Sequence, residues 1–466
     1  MSRSFRIYRA RKVPGRQKIA RGEIILTAKP FIYILNVVNR GLCCDHCLKR
    51  QNGLQRCSGC AKQWYCNRDC QRGSWDMHRF ECKNLNRIYP LDPPDAARLL
   101  ARAIFRLKNG GDKTEEKIEE GRFRKFKDLM DHNKDIKEDE KRYEHFLSLV
   151  VVLHKYIGDE NLPNEADLLR IFGQICINSF NINDDNLNPV GTGLYLAASI
   201  FDHSCQPNAF VTFDGTSLTV RSLIDWKTID WNKIRISYID VMNTKEDRLK
   251  ELHQRYYFWC DCNLCHDMRR DMVMSSIICG NKACTAPVYI DDKEDVDAAV
   301  GPCSECGFSD FEPSTRARYY EVLTFSRDEI KTMENSNCFY LDICKKLLEL
   351  QENMFHKLNV WQAKALDCGF EAAIGLNMFE TAKKFGIENV DAIKYYYGEQ
   401  HPTYGMILLK IGKICDFLGD IKESLYFLQQ AEPILRVGLG SQHPACRELC
   451  ELQHKVLEEI KCTSMQ

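Results

Sequence analysis

The chain has 466 residues, of which 44% are hydrophobic, and this is more apolar material than one hydrophobic core uses. We therefore expect a globular protein of two to four structural units. Its 65 basic and 65 acidic side chains cancel, which removes any global electrostatic attraction to nucleic acid or to an anionic membrane surface. Since no apolar run approaches the roughly 20 residues that span a bilayer, the sequence predicts neither membrane association nor DNA binding.

The cysteine content indicates a compartment. The chain contains 24 cysteines and shows no secretory leader. In the cytoplasm and nucleus, where thiols stay reduced, clustered cysteines bind metal more often than they form disulfides. We therefore expect the protein in the cytoplasm and nucleus.

In chain order, the first predicted elements are short strands. Residues 1–18 carry basic and no acidic side chains, and Phe5 and Ile7 alternate with charge, which favours an edge strand over a targeting peptide. Residues 22–38 (GEIILTAKPFIYILNVV) are β-branched and aromatic around a proline. This composition predicts two further strands.

The segment 44–82 contains eight residues of the types that bind zinc. They form four closely spaced pairs: Cys44 and Cys47, Cys57 and Cys60, Cys66 and Cys70, and His78 and Cys82. Zinc binds four tetrahedral sulfur or nitrogen ligands, and these spacings place two ligands on one knuckle or one helical turn. The segment therefore predicts two closed zinc sites, which supply most of the folding free energy where apolar residues are so few.

Periodic apolar residues predict helices after this segment. They recur at i, i+3 and i+4 in DAARLLARAIFRL, RYEHFLSLVVVLHKYI and ADLLRIFGQICINSF. The charged connection KNGGDKTEEKIEEGRFRK is interpreted as a solvated loop or helix face. Residues 194–240 return to short strands, with Asp214 and Gly215 as a hairpin turn.

Two further cysteine groups follow the second strand region. Cys260, Cys262 and Cys265 leave a tetrahedral zinc ion one ligand short, so a distant residue must supply the fourth. The second group has the two-knuckle spacing of a zinc ribbon, with unrelated cysteines as the alternative, and consists of Cys279, Cys284, Cys303 and Cys306.

From about residue 315 the sequence is almost wholly helical. It contains a repeated motif, YGEQHP at 397–402 and LGSQHP at 439–444, with two amphipathic segments in between. This is the form of stacked helical hairpins similar to tetratricopeptide (TPR) repeats, with a plain helical bundle as the alternative.

Five motifs occur in a fixed order through the middle of the chain. They are NSF at 178–180, GTGLYLAAS at 191–199, FDHSCQPN at 201–208, ISYID at 236–240 and YYFWCDCNLC at 256–265. The set resembles the SET domain of the SET and MYND domain (SMYD) family of protein lysine methyltransferases, and segment 44–82 resembles its MYND zinc finger. The resemblance covers nearly the whole chain.

The resemblance implies an α+β fold of six parts. A β-rich SET domain carries an inserted zinc finger and a helical insertion, followed by a zinc-bound post-SET segment and an all-α TPR-like domain. The implied boundaries are 1–43 for the N-terminal part of the SET domain, 44–82 for the finger, 83–175 for the helical insertion, 176–243 for the core SET domain, 244–312 for the post-SET segment with the ribbon, and 313–466 for the helical domain.

The resemblance also assigns the zinc ligands. One finger site would use Cys44, Cys47, Cys66 and Cys70, and the other Cys57, Cys60, His78 and Cys82. Cys205 would be the distant fourth ligand of the Cys260, Cys262 and Cys265 site. This gives three zinc ions, and the ribbon would hold a fourth.

The implied reaction is transfer of a methyl group from S-adenosylmethionine to a lysine amine. Lysine is almost fully protonated at pH 7, so the site must favour the free base and align the reacting atoms. By resemblance Tyr238 is the catalytic tyrosine, with Tyr256 and Phe180 lining the lysine tunnel. The same resemblance assigns cofactor contacts to Asn178, Asp202, His203 (largely through its backbone), Tyr238 and Phe258. On the residues alone, each of these aromatic side chains is more often part of a core.

Two departures from the family pattern leave an alternative open, and a third is of lesser weight. Asp202 stands where the family generally has Asn, and Pro14 and Gly15 replace a Gly-x-Gly turn that lets the backbone approach the cofactor. The segment before ISYID also lacks the usual acidic Gly-Glu-Glu turn. The alternative is a catalytically weakened scaffold that recruits protein partners.

The expected partners are proteins. The substrate would be a histone or non-histone protein that presents a lysine, and the chain would act as a monomer. MYND fingers in several proteins bind proline-rich peptides, and here Trp64 and Trp75 lie close to the zinc ligands in sequence. The alternative for these two aromatic side chains is that they only cover the zinc knuckles.

Overall fold

The computed structural model describes residues 17–290, 298–334 and 340–464. It has a mixed α+β fold, as expected. The edge strand predicted around Phe5 and Ile7 and the turn at Pro14 and Gly15 lie outside the described residues. None of the described helices is long and apolar enough to cross a membrane.

The described strands are β1 Gln17–Ile19, β2 Ile24–Ala28, β3 Ile32–Leu35, β4 Gln55–Arg56, β5 Trp64–Tyr65, β6 Glu116–Glu119, β7 Arg122–Arg124, β8 Ser179–Asn183, β9 Pro189–Leu194, β10 Asp202–His203, β11 Ala209–Asp214, β12 Ser217–Ser222, β13 Trp226–Thr228, β14 Arg235–Ile236, β15 Ser276–Ile278 and β16 Pro287–Tyr289. The described helices are α1 Arg68–Arg87, α2 Asp95–Lys108, α3 Asn133–Glu138, α4 Glu140–Ile157, α5 Glu165–Asn178, α6 Lys245–Tyr256, α7 Met268–Met274, α8 Thr315–Glu334, α9 Leu341–Gln351, α10 Val360–Gly375, α11 Phe379–Tyr397, α12 Pro402–Leu418, α13 Ile421–Gly438 and α14 Pro444–Ser464.

Small antiparallel sheets form the β-rich part. The sheets are β3-β9-β8, β11-β12-β2 and the pair β1-β13, whereas β10 and β14 pair in parallel. In the β11-β12 hairpin Asp214 pairs with Ser217, so the turn residues are Gly215 and Thr216, one position later than predicted. Gly215 has φ +56°, and a Cβ there would lie 2.7 Å from the Cys47 carbonyl oxygen, so the finger and this hairpin require glycine at this contact.

The finger and the predicted insertion helices share one hydrophobic core, which includes Cys57, Cys82 and apolar residues of α2, α4 and α5. Helix α1 begins after Asn67, whose side chain caps the backbone N–H groups of Asp69 and Cys70. A buried ionic network crosses the same contact. The Glu81 carboxylate on α1 accepts hydrogen bonds from Arg98 Nη2 at 3.0 Å and Arg102 Nη2 at 2.6 Å.

The charged connection after α2 is not a loop or a helix face, and this interpretation of the sequence was wrong. Strands β6 and β7 form an antiparallel hairpin in which Glu116 pairs with Arg124 and Glu119 with Arg122. Ile118 is buried under the SET sheets and Gly121 has φ +73° at the turn. One buried apolar residue among charges is a weaker signal than a strand with several, which is why periodicity missed it.

The C-terminal region is helical from α8 to α14, with consecutive helices packed against one another. The repeated QHP motif marks two helix starts. His401 Nδ1 accepts the N–H of Thr403 at 3.2 Å and His443 Nδ1 accepts the N–H of Ala445 at 3.3 Å, and each histidine is followed by a proline in the first turn. Tyr397 Oη donates to Asp240 Oδ1 at 2.6 Å and so ties this region to the end of the SET core.

Candidate active site and metal centres

A large cavity of about 1880 Å³ lies between the SET strands, the β6-β7 hairpin, the post-SET segment and the start of α12. All seven residues predicted for catalysis and cofactor binding line it: Asn178, Phe180, Asp202, His203, Tyr238, Tyr256 and Phe258. The fold thus brings together side chains that are separated by up to 80 residues in the sequence.

Strand pairing positions the central residues. The parallel pairing of β10 with β14 sets Asp202 beside Arg235 and His203 beside Ile236. Two residues beyond β14, the backbone N–H of Tyr238 donates to His203 Nδ1 at 3.0 Å. The Tyr238 hydroxyl donates to the carbonyl oxygen of Phe201 at 2.5 Å, so backbone and side chain of the tyrosine are both fixed.

Three aromatic rings form one wall of the cavity. The ring centroids of Tyr238 and Tyr256 lie 5.0 Å apart, and those of Tyr238 and Phe258 lie 6.5 Å apart with the rings near perpendicular. Tyr257 ends α6 with φ +60°, a left-handed conformation, and its ring packs against His132 instead. This reversal lets Tyr256 and Phe258 both line the cavity although they are two residues apart across a helix end.

Burial keeps the two phenols protonated. It raises the pKa of Tyr238 well above the ordinary value, with smaller contributions in the same direction from Asp202 and Tyr256, and it also raises the pKa of Tyr256. Neither phenol is therefore available as a phenolate base near pH 7. Because the Tyr238 proton is donated to Phe201, the lone pairs of Tyr238 Oη remain free to accept hydrogen bonds in the cavity.

Two of the predicted cofactor contacts use their side chains within the protein. His203 Nδ1 accepts from Tyr238, and its Nε2 lies 3.3 Å from Cys205 Sγ. Both ring nitrogens are thus occupied, which leaves the backbone of His203 as the part able to contact a ligand. The Asn178 amide nitrogen donates to the carbonyl oxygens of Met130 and Gln174, at 2.9 and 2.8 Å, and ties the end of α5 to the segment between β7 and α3.

Sequence reasoning missed a charged residue of this cavity. Arg124 on β7 lines it, and burial lowers the pKa of its guanidinium, an effect that Asp128 and, more weakly, Tyr238 and Asp202 oppose. Asp202 is itself accessible, with 75% of its side chain exposed, and lies 3.8 Å from Arg235 Nη1. In the sequence, Arg124 is one arginine in a charged segment, and it can be assigned to the cavity only when the β6-β7 hairpin is known.

Four clusters of zinc-ligand residues lie in the described part of the chain. In each, the ligand atoms lie within 4.8 Å of one another, a separation that fits four ligands around one tetrahedral ion. The clusters are Cys44, Cys47, Cys66 and Cys70; Cys57, Cys60, His78 and Cys82; Cys205, Cys260, Cys262 and Cys265; and Cys279, Cys284, Cys303 and Cys306. The first three are the sets that the resemblance implied, and the fourth is the predicted ribbon.

The Cys205 cluster bears on the cavity. Cys205 Sγ lies 3.6 Å from Cys265 Sγ and is buried together with Val241 and Leu252. Cys260 follows Phe258 by two residues, so a metal ion bound here would hold the segment with Tyr256 and Phe258 against the SET core. Sulfur-rich sets of this kind are typical of structural zinc sites without an open position.

Comparison with known proteins agrees with these arrangements. The MYND finger family matches residues 44–82. The histone-lysine N-methyltransferase SMYD3 of Homo sapiens is 28% identical over 452 residues, which cover 95% of this chain and 94% of that protein. The N-lysine methyltransferase SMYD2-A of Danio rerio is 27% identical over 434 residues, with 92% of each chain covered. The histone-lysine N-methyltransferase ASHR1 of Arabidopsis thaliana is 26% identical over 443 residues, 92% of this chain and 89% of that protein.

Proposed function

We propose that this chain, which belongs to the SMYD (SET and MYND domain) family of lysine methyltransferases, transfers a methyl group from S-adenosylmethionine to the ε-amine of a lysine on a protein. The observation that carries the proposal is the aromatic wall of Tyr238, Tyr256 and Phe258 beside the Cys205 cluster. Relatives are named both as histone-lysine and as N-lysine methyltransferases, so we propose histone and non-histone proteins as substrates.

The cofactor supplies an activated methyl group on a sulfonium sulfur, and the residues of the cavity prepare the amine. The aromatic side chains of Phe180, Tyr238 and Tyr256 exclude water, which disfavours the ammonium form of the lysine. Tyr238 Oη accepts a hydrogen bond from the amine N–H and so orients the nitrogen lone pair. Phe258 offers a ring face to the adenine, and the Asp202 carboxylate offers an acceptor to the ammonium of the cofactor.

We propose that the chain binds four zinc ions. Zinc binding is supported by the finger and by the other cysteine clusters, and the proposal extends to each set. Two ions would stabilise the finger, one would hold the post-SET segment through Cys205, and one would close the ribbon. The donor sets, three with four thiolates and one with three thiolates and an imidazole, are those zinc prefers.

The finger offers a surface for a protein partner. Trp75 on α1 is 46% exposed, and its ring meets that of His78 edge-on at 5.8 Å. Trp64 differs, since it is half-buried beneath the guanidinium of Arg56 at 4.3 Å. We propose that Trp75 rather than Trp64 receives a proline-rich peptide, which a fluorescence titration with such a peptide would measure.

The first experiment is calorimetric titration of the zinc-loaded protein with S-adenosylmethionine, followed by transfer of a labelled methyl group to histones and to a cell extract. We expect micromolar binding. Tyr238→Phe should retain cofactor binding and lower kcat/KM by about 100-fold or more, because the amine loses its oriented acceptor. Tyr257→Phe, next to the site but outside the cavity, serves as the control and should change kcat/KM less than about threefold.

Two results would contradict the proposal. Full turnover in Tyr238→Phe would remove the catalytic assignment. A folded, zinc-loaded protein that binds no S-adenosylmethionine would instead favour a scaffold that recruits partners through the finger and the helices.

We also propose that the protein is a monomer of the cytoplasm and nucleus. The four thiolate clusters support this placement, because they need a reducing compartment to stay free for metal. Imaging of the tagged protein and sedimentation of the purified one test these two statements, and a dimer at micromolar concentration would contradict the second.

A further inference from the structure

We propose that Arg124 binds the carboxylate of the cofactor's amino-acid end, opposite Asp202, so that the two side chains form a charge-complementary pair for a zwitterion. This inference rests on the proposed function and deepens it. It assigns a ligand contact to a residue of the β6-β7 hairpin, a part of the chain in which no site residue was predicted.

The hairpin is held firmly against the SET core. Glu116 Oε2 accepts the backbone N–H of Ala197 at 2.7 Å, and Glu119 Oε2 accepts the indole N–H of Trp231 at 2.8 Å. The Trp231 ring in turn stacks on Phe201, the residue whose carbonyl oxygen fixes the Tyr238 hydroxyl. Arg124 pairs with Glu116 in register, so its position relative to Tyr238 is set by the fold rather than by a free loop.

The guanidinium of Arg124 has donors that the protein does not use. Its Nη2 donates to the carbonyl oxygen of Asp128 at 3.3 Å. Its Nε is buried and has no hydrogen-bond partner among the described residues. Its Nη1 also makes no hydrogen bond with a described residue and, unlike Nε, is not closed off from solvent, so it is the charged donor that an anion in the cavity would meet. Arginine binds carboxylates with paired N–H groups, which suits this role better than a lone ammonium does.

The surrounding charges indicate which anion fits. Arg124, Asp202 and Tyr238 line the same cavity, and the nearest cation to Asp202 among the described residues is Arg235, at 3.8 Å. The amino-acid end of S-adenosylmethionine carries an ammonium and a carboxylate on one carbon atom, so it needs an acceptor and a donor near each other. Asp202 only accepts and Arg124 only donates. This pair therefore supplies charged contacts to the cofactor from described residues, independently of the turn at Pro14 and Gly15.

The test compares two ligands that differ in the amino-acid end, whose carboxylate Arg124 would hold and whose ammonium Asp202 would hold. S-adenosylhomocysteine carries the amino-acid end, whereas 5′-methylthioadenosine has the adenosine and the sulfur but no carboxylate or ammonium. In calorimetric titrations of zinc-loaded protein, Arg124→Met should weaken binding of S-adenosylhomocysteine by about 10- to 100-fold, the loss expected for a charged hydrogen bond. Binding of 5′-methylthioadenosine should stay within about twofold of wild type, and Arg124→Lys should recover part of the loss.

Lys125→Met is the matched control. Lys125 neighbours Arg124 on the same segment, but it pairs with Glu115 at 2.7 Å and does not line the cavity. Its loss should leave both affinities unchanged. Thermal unfolding of each variant, followed by circular dichroism, checks that the hairpin change has not altered the fold.

Three results separate the outcomes. Equal weakening of both ligands in Arg124→Met would assign Arg124 a structural role and overturn the inference. Unchanged binding of S-adenosylhomocysteine would also overturn it, while the wild-type affinity would leave the proposed function standing. If the folded wild type binds neither ligand, the proposed function fails, and the inference fails with it.

Discussion

Glu81 in the finger and Asp367 on α10 are both acidic side chains withdrawn from bulk water, yet their pKa values move in opposite directions. Burial alone would raise the pKa of Glu81, but Arg102 and Arg98 outweigh it and hold that pKa well below the ordinary value. The carboxylate of Asp367 makes no hydrogen bond or ion pair with another described residue. Burial raises its pKa to about 7, and the nearby carboxylates Glu371 and Asp240 act in the same direction.

The Glu81 network also differs from the cavity, which Asp367 does not line: the network is built for stability, whereas the cavity is kept open. Around Glu81 both carboxylate oxygens accept hydrogen bonds from Arg98 and Arg102, so the finger is fixed to α2 although Arg98 Nε itself has no partner among the described residues. Around the cavity, Arg124 Nη1 makes no hydrogen bond with a described residue, and Asp202 is largely exposed with only a 3.8 Å contact to Arg235 Nη1. A protein tolerates unpaired charge where a ligand will later supply the partner.

The largest expected effect is at Glu81. In Glu81→Gln two buried guanidinium groups keep their charge and lose their nearest counterion, with only Asp45 left at 3.9 Å from Arg98, so we expect the free energy of unfolding to fall by about 3–5 kcal/mol. Glu81 Oε1 also lies 3.5 Å from His78 Nδ1, the nitrogen on the far side of the ring from its cysteine neighbours. A carboxylate in this position orients a metal-binding histidine, so zinc affinity of that site should fall by about 10- to 100-fold.

Urea denaturation and zinc titration measure these two effects. Asp76→Asn on the exposed face of the same helix removes one acid without touching the network, and it should change stability by less than about 0.5 kcal/mol. If Glu81→Gln lowered the free energy of unfolding by less than about 1 kcal/mol, the network around Glu81 would not stabilise the finger strongly. The contrast between this network and the cavity would then not hold.

A second comparison concerns the metal clusters. The four ligands of the Cys57 and His78 cluster are all buried, whereas in the ribbon Cys306 is exposed and Cys284 half-buried. Solvent access lets a chelator reach a bound metal ion. We therefore expect the chelator to remove the ribbon ion before the other three. Metal analysis during dialysis against a chelator, with wild type and Cys306→Ser compared, measures the order.

Loss of the ribbon zinc can be recognised by its effect on neighbouring backbone segments. Strand β15 is hydrogen-bonded to the segment before α10. Ile278 N donates to the Met354 carbonyl at 3.0 Å, and Asn359 Nδ2 donates to the Ser276 carbonyl at 3.0 Å. Loss of the ribbon zinc should therefore raise hydrogen exchange in residues 276–290 and 352–359. Cys450→Ser, an exposed cysteine outside the four clusters, is the control. Early loss of finger zinc instead would contradict the role given to burial.

The sequence predicted the metal centres and most of the fold because both depend on short-range patterns. Ligand spacing identified the finger and the ribbon, and periodic apolar residues identified α2, α4 and α5 together with the hairpin from Ala209 to Ser222. The resemblance supplied Cys205, which no local spacing could have connected to a group 55 residues later. The cavity residues of the family motifs followed from the same source.

What the sequence did not predict depends on tertiary contacts. The β6-β7 hairpin has one buried apolar side chain, so its register is set by Glu116 and Glu119 bonding to the SET core. Arg124 lies at the cavity only because of that register, so the sequence alone did not predict its position. The network around Glu81 likewise joins the finger to α2, and buried ion pairs between distant segments leave no periodic trace in the chain.

The smallest expected effect is at Asp367 and depends on pH. Its pKa is raised on folding from the ordinary value of 3.8 to about 7, so the folded state binds more protons than the unfolded state between these values, and this contribution to stability is lost as pH rises through that window. Asp367→Asn, which resembles the protonated form, should therefore raise Tm by about 2–3 °C at pH 8 and leave it unchanged near pH 4. Asp342→Asn is a useful control, since Asp342 is an exposed acid at the start of α9 that does not act on Asp367, and it should show no such gain. A gain in Tm that is equal at both pH values would mean that the substitution acts through packing. The unpaired charge of Asp367 would then not explain how this residue differs from Glu81.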